Sequence, residues 1–214
     1  MHKRLLAASD IHGHGASLKL LLDKAQYNPG NDQLVLCGDY VNKGPDSEGT
    51  LALIQQLQQD GAIVLLGNHE LQWLADMQHI EQAMHHKLVM TYQRLQQDGR
   101  KLKWRPLIES FQTYYETADY LFVHAGIAPN IPITSQTPVQ LTGFYHNAFV
   151  NYIPGKIMIH GHVPTFRKVN QKGIIYKTKD AINIDTGAGH GEYLTLYDVT
   201  NDKQYRVKLK KVSI

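Results

Sequence analysis

Residues 4–15 read RLLAASDIHGHG, a short apolar run that ends in a loop crowded with Asp, His and Gly. Leu18, Leu21, Leu22 and Ala25 then recur at helical spacing, so the stretch predicts strand, loop and helix in that order. The pattern repeats twice. Residues 33–46, QLVLCGDYVNKGPD, give a strand over Gln33–Cys37 and a polar loop; Leu51, Ile54 and Leu57 mark one helix face, with Asp46 or Ser47 as N-cap. Residues 63–70, IVLLGNHE, give a third strand over Ile63–Leu66, and Leu71, Leu74 and Ala75 a third helix. Three such units in succession argue for an α/β sheet, in which ligands gather beyond the carboxyl ends of the strands.

Further strands are expected at Tyr120–Val123, Lys156–Ile159, Ile182–Ile184, Tyr193–Tyr197 and Tyr205–Leu209, making the second half β-rich. Residues 79–117, rich in Gln, Lys, Arg and aromatics, read as a mostly helical excursion. A chain of 214 residues with 43% hydrophobic content suits one core, and no linker or repeat divides it, so residues 1–214 are expected to form a single domain. The net charge of +3 is small and dispersed apart from Arg100–Arg105 and Lys208–Lys211, which gives no basis for a nucleic-acid partner. Nothing approaches the ~20 apolar residues needed to span a bilayer, and one cysteine excludes an intrachain disulfide, so the cytoplasm is the expected location.

The composition anomaly is twelve histidines, whose neutral imidazoles are common transition-metal ligands. Several stand at strand ends beside glycine. Asp10 and His12 follow the first strand, Asp39 the second, Asn68 and His69 the third, His124 a later strand in FVHAG, and His162 another in IHGHV. Any one pair is ordinary turn chemistry. Five strand-end loops each carrying a fitting oxygen or nitrogen ligand point instead to a two-metal site, with Asp39 as bridging carboxylate and His69 facing substrate. Such a site suits phosphate ester hydrolysis, where the nucleophile must approach a negatively charged phosphorus. His14, Arg167 and His190 lie near motif loops and are candidates to line the cleft, with solvent exposure the favoured reading of each; His79, His85 and His86 are read as surface, and Cys37 as a core strand residue.

SDIHG, GDYVNKGPDS, GNHE, HAG, GHVP and INIDTGAGHGEYLTLYDV together resemble the ordered motifs of the phosphoprotein phosphatase family of calcineurin-like metallophosphoesterases, from Asp10 to about Asp198. The resemblance implies a four-layer α/β/β/α sandwich and in-line attack on phosphorus by a metal-bridging hydroxide. It implies Asp10, His12 and Asp39 on one metal, Asp39, Asn68, His124 and His162 on the other, and His69 as the acid that protonates the departing oxygen. Mixed oxygen and imidazole ligands suit Mn²⁺, the expected metal, and also Fe²⁺ or Zn²⁺.

Two positions depart from the family pattern Gly-Asp-x-Val-Asp-Arg-Gly: Asn42 stands for the second Asp and Lys43 for the Arg. Asn42 is expected to orient His69 by accepting a hydrogen bond, without a compensating charge. Lys43 keeps the charge near phosphate but loses the guanidinium fork. A further family Arg falls near GFYHNAF, which puts His146 in the phosphate-binding role, with affinity following its protonation. The leading expectation is a serine/threonine protein phosphatase-like phosphomonoesterase acting on phosphoproteins or small phosphate esters. The alternative is a dinucleoside polyphosphate (diadenosine tetraphosphate) hydrolase, a group that tolerates a non-acidic residue at position 42 but more often has Asp at position 70. The third is a phosphate sensor with vestigial activity.

Overall fold

The computed structural model describes residues 3–85, 99–143 and 155–209. Two five-stranded mixed sheets form its centre. The first has the order β10-β9-β1-β2-β3, from β1 (Arg4–Ala8), β2 (Asp32–Leu36), β3 (Ile63–Val64), β9 (Tyr193–Asp198) and β10 (Lys203–Lys208). The second has the order β4-β5-β6-β8-β7, from β4 (Tyr114–Glu116), β5 (Tyr120–Val123), β6 (Ile157–His160), β7 (Tyr176–Lys177) and β8 (Ala181–Asn183). Within the first sheet β1, β2 and β3 are parallel, as are β5, β6 and β8 within the second.

Alternating side chains divide the core into layers. Ala7, Val35, Cys37 and Leu65 pack against Phe122, Ile159, Ile182 and Ile184, filling the space between the sheets. Leu6, Leu34 and Leu36 point the other way, against α1 (Gly15–Lys24), α2 (Ser47–Gln59) and α3 (Asn68–His85). Two helices follow from the spacing predicted for them: α1 buries Leu18, Leu21 and Leu22, and α2 buries Leu51, Ile54 and Leu57, whereas α3 buries Trp73 and Met77 and leaves the expected Leu71 and Leu74 half-buried and Ala75 exposed. Asp46 caps α2 by accepting the Gly49 N–H at 2.7 Å. Leu107 and Ile108 of α4 (Arg105–Glu109) join the same layer. On the far face of the second sheet, Leu121, Val123 and Met158 pack with Leu141 of α5 (Pro138–Gly143). The order is helix, sheet, sheet, helix, which agrees with the sandwich expected from sequence.

The strands β4 and β7 were not expected. β4 falls inside the stretch read as helical, where α3 extends to His85 and α4 follows; β4 pairs antiparallel with β5 through Tyr114 to Val123. Runs of two or three residues carry no period-2 signal, so only the neighbouring strand identifies them.

Candidate functional site

The carboxyl ends of the parallel strands in both sheets open on one cleft. Backbone hydrogen bonds tie the first two loops together in sequence: Asp10 N–H donates to Gly38 O (3.0 Å), His12 N–H to Asp39 O (2.8 Å) and Gly13 N–H to Tyr40 O (2.7 Å). Glu70 then gathers the second and third loops. Its buried carboxylate accepts from the backbone N–H groups of Gly67, Asp39, Tyr40 and Val41 at 2.8–3.2 Å. The sheets meet where His162 N–H donates to Asp10 Oδ2 at 2.9 Å and where His124 Nδ1 faces Cys37 O at 2.8 Å.

Such tight loops require unusual backbone angles. Of nine described non-glycine residues with positive φ, six are Asp10, His12, Asp39, Asn42, Lys43 and His162, all singled out from sequence. Left-handed backbone is disfavoured for side chains of this size and persists where surrounding contacts determine it, commonly at functional sites. Gly161 is required for another reason: a Cβ there would lie 2.0 Å from Asp10 Oδ2.

The six expected ligands converge. His12 Nε2 lies 3.6 Å from Asp39 Oδ2 and 3.9 Å from Asp10 Oδ1. On the other side of Asp39, His124 Nε2 lies 3.4 Å from Oδ1, 3.0 Å from Asn68 Oδ1 and 3.2 Å from His162 Nδ1, with His162 Nδ1 2.9 Å from Asn68 Oδ1. Two groups of metal-ligating atoms, each within 4.8 Å, share Asp39: one with His12 and His69, the other with His124 and His162.

The donor chemistry fits cations. His12 Nδ1 faces Val41 O at 3.0 Å and His124 Nδ1 faces Cys37 O at 2.8 Å. A carbonyl only accepts, so each ring carries its proton on Nδ1 and turns the bare lone pair of Nε2 into the cluster, a common arrangement for metal-binding imidazoles. Burial, with Lys43 adding to it, holds His12 down to about 3; burial and His124 hold His162 down to about 4. His12 and His162 are therefore neutral near pH 7. Burial and then the charge of Asp10 push Asp39 well above the usual carboxylate range. Burial opposes ionisation of Asp10 too, but the charge of His124 and His12 when those rings are protonated, together with the Ser9 hydroxyl (2.6 Å) and the His162 N–H, outweighs it and holds Asp10 low. Two close carboxylates among neutral imidazoles are what bound cations would balance.

His69 lies in the first turn of α3, with its N–H on Asp39 Oδ1 at 3.0 Å and its Nε2 3.9 Å from Asp39 Oδ2. Burial, reinforced by Lys43, lowers it to about 4. Asn42 contacts its Nδ1 at 2.8 Å, but as a donor: the indole N–H of Trp73 occupies Asn42 Oδ1 at 2.9 Å, leaving the amide NH₂ toward the ring. The expectation that Asn42 accepts is corrected accordingly. Lys43 Nζ stands 3.3 Å from His12 Nε2.

A cleft of about 250 Å³ is lined by Asp39, Lys43, Asn68 and His69 on one side and by His162, Arg167 and His190 on the other. Arg167 and His190 are exposed, as expected, and they also border the cleft, the alternative reading of these two residues. The ring of His190 lies edge-on to Phe166 at 5.5 Å. His14, expected at the surface, is buried with Nδ1 3.1 Å from Ile11 O. His79 is exposed and Cys37 buried, both as expected. His146 and His86 lie outside the described residues, as does the side chain of His85.

The calcineurin-like phosphoesterase family model matches residues 3–199. The chain belongs to this family. Calcineurin-like phosphoesterases are dinuclear-metal enzymes, and the two donor groups sharing Asp39 have the layout such a pair requires. Among relatives in this family, symmetrical bis(5'-nucleosyl)-tetraphosphatase of Aeromonas hydrophila subsp. hydrophila is 35% identical over 123 residues, covering 56% of this chain and 43% of that protein. The enzyme of the same name from Nitrosomonas europaea is 32% identical over 162 residues, covering 73% of this chain and 59% of that protein. The chain thus spans about half the length of the curated relatives it matches. Solved structures share the fold. A protein provisionally described as a diadenosine tetraphosphatase superimposes with TM-score 0.71 at 22% identity, covering 96% of this chain and 93% of that one. A serine/threonine phosphatase from Saccharomyces cerevisiae does so with TM-score 0.60 at 12% identity, covering 99% and 81%. No described helix is long and apolar enough to cross a membrane.

Proposed function

We propose that this protein is a two-metal phosphoesterase that cleaves phosphoanhydrides of the dinucleoside polyphosphate type. The observation carrying the two-metal part is the shared carboxylate of Asp39, with His12 on one side and His124 and His162 on the other. Asp10, His12 and Asp39 would hold one ion, and Asp39, Asn68, His124 and His162 the other, Mn²⁺ being the proposed metal. Bound there, the pair would neutralise phosphate oxygens and activate water.

The chain's own residues supply the rest. Lys43 and Arg167 bring two cations to one small cleft, where they can attract and hold the negative charge of a phosphate chain. The names of the relatives support this choice over the protein phosphatase reading. His69 Nε2 reaches into the cleft toward the place of the leaving oxygen, and Glu70 holds the loops bearing Asp39 and Asn68 in register.

The test is metal-stripped protein reconstituted with Mn²⁺ and offered diadenosine tetraphosphate, p-nitrophenyl phosphate and a phosphothreonine peptide, beside Asp39→Asn and His69→Ala. Two ions per chain and preferential turnover of the nucleotide are expected, with loss in both variants. Preference for the peptide would restore the protein phosphatase reading. Phosphate binding without turnover above His69→Ala would favour a sensor, and failure to bind metal would sink the two-metal site.

A further inference from the structure

Trp73 and His69 lie four residues apart on one face of α3, so the indole sits directly beyond the catalytic-side imidazole. An indole N–H donates and cannot accept. Trp73 Nε1 donates to Asn42 Oδ1 at 2.9 Å, and the indole is only 5% exposed, so water offers the amide little alternative. With its oxygen engaged, Asn42 presents its NH₂ to His69 Nδ1 at 2.8 Å. That contact is a hydrogen bond only if Nδ1 supplies a lone pair, which leaves the ring proton on Nε2, in the cleft beside Asp39. A ring with protons on both nitrogens would set N–H against N–H at the same contact. Turning the amide over would only move that clash to the indole.

We infer that Trp73 is a positioning residue which, acting through Asn42, fixes His69 as an Nε2–H hydrogen-bond donor and restricts the site to substrates whose leaving oxygen departs without a proton. The inference rests on the phosphoesterase reading above. The step it describes balances: a water oxygen bonds to phosphorus, the bond from phosphorus to the leaving oxygen breaks with its electron pair passing to that oxygen, and the water proton goes to solvent. The departing group remains an anion that His69 Nε2–H stabilises by hydrogen bonding. Phosphoanhydrides and acidic aryl phosphates meet this condition, because their leaving oxygens are weak bases. Serine and threonine alkoxides do not, since general acid assistance is worth about 10²–10⁴-fold.

Long-range ¹H–¹⁵N spectra of the imidazoles in the full chain read the tautomer without any turnover. The expected result is Nε2–H for His69, switching to Nδ1–H in Asn42→Asp, whose carboxylate accepts from both the indole and the ring; Nδ1–H in the parent protein would overturn the inference. In the Mn²⁺-loaded enzyme, the preference for p-nitrophenyl phosphate over a phosphoserine peptide should narrow by about tenfold or more in Asn42→Asp and by less in Trp73→Phe, where the amide is free to turn over. An unchanged ratio in Asn42→Asp would overturn it, and that variant decides the matter if Trp73→Phe does not fold. Absence of turnover on every phosphate compound would defeat the proposed function, while the spectra would still decide the tautomer.

Discussion

The floor of the cleft and its rim are built on different principles. Asp10, His12, Asp39 and His124 on the floor are each no more than 2% exposed, fixed by backbone carbonyls, backbone N–H groups and left-handed loop angles. On the rim, Arg167 and His190 are exposed, and Lys43 stands where the family pattern has Arg. A buried donor must have its orientation settled before any ligand arrives, because an unpaired polar group there is costly. An exposed cation is hydrated whichever way it points, so the rim is free to vary with substrate.

That contrast can be broken most directly at its centre. Asp39→Asn should leave the fold intact but abolish the shared ligand. Metal content by mass spectrometry should fall below two ions per chain and turnover by roughly 10³-fold or more, since the metals supply several kcal/mol. Retained stoichiometry and rate would mean the floor is not a metal site. Glu70→Ala tests whether the floor is braced from behind. Four backbone N–H groups lose their buried acceptor, and a destabilisation of about 3 kcal/mol is expected, a fall in Tm of roughly 6–12 °C by calorimetry. A shift of a degree or so would show the loops hold themselves.

The rim should respond more gently. Arg167→Ala is expected to raise KM for diadenosine tetraphosphate about tenfold with kcat little changed, and to affect p-nitrophenyl phosphate less, because the shorter substrate has fewer anionic groups to lose. Equal effects on both would remove the case for a polyphosphate subsite. His190→Ala should be weakest. Burial and the neighbouring charges of Lys43 and Arg167 lower its pKa, so it is neutral near pH 7, and a change in KM within about threefold is expected.

The same division governs what the sequence revealed. The convergence of Asp10, His12, Asp39, Asn68, His124 and His162 was legible because each stands in a loop after a strand, most of them beside glycine, so local pattern was enough to single them out. Arg167 and His190 were legible only as the alternative to plain exposure. They come from a 3-10 turn after β6 and another after β8, and only the packing of two sheets brings those turns to Lys43. Glu70 stands in the sequence only as the last residue of GNHE; its task depends on where the backbone of residues 39–41 folds back. The direction of the Asn42 hydrogen bond was set by a tryptophan that reads in sequence as one more helix residue.

The hydrogen bond from His162 N–H to Asp10 Oδ2 closes a separation of 152 positions along the chain. Contacts of such high sequence separation must overcome loop closure entropy before they form, and they tend to come late in folding. A chain that has formed β1, α1 and β2 already carries Asp10, His12 and Asp39, but the surroundings of Asp39 are complete only when β5 and β6 have docked with His124 and His162. Cations that need both sheets would bind the finished molecule and not its partly folded forms, so their uptake would draw the folding equilibrium toward the native state.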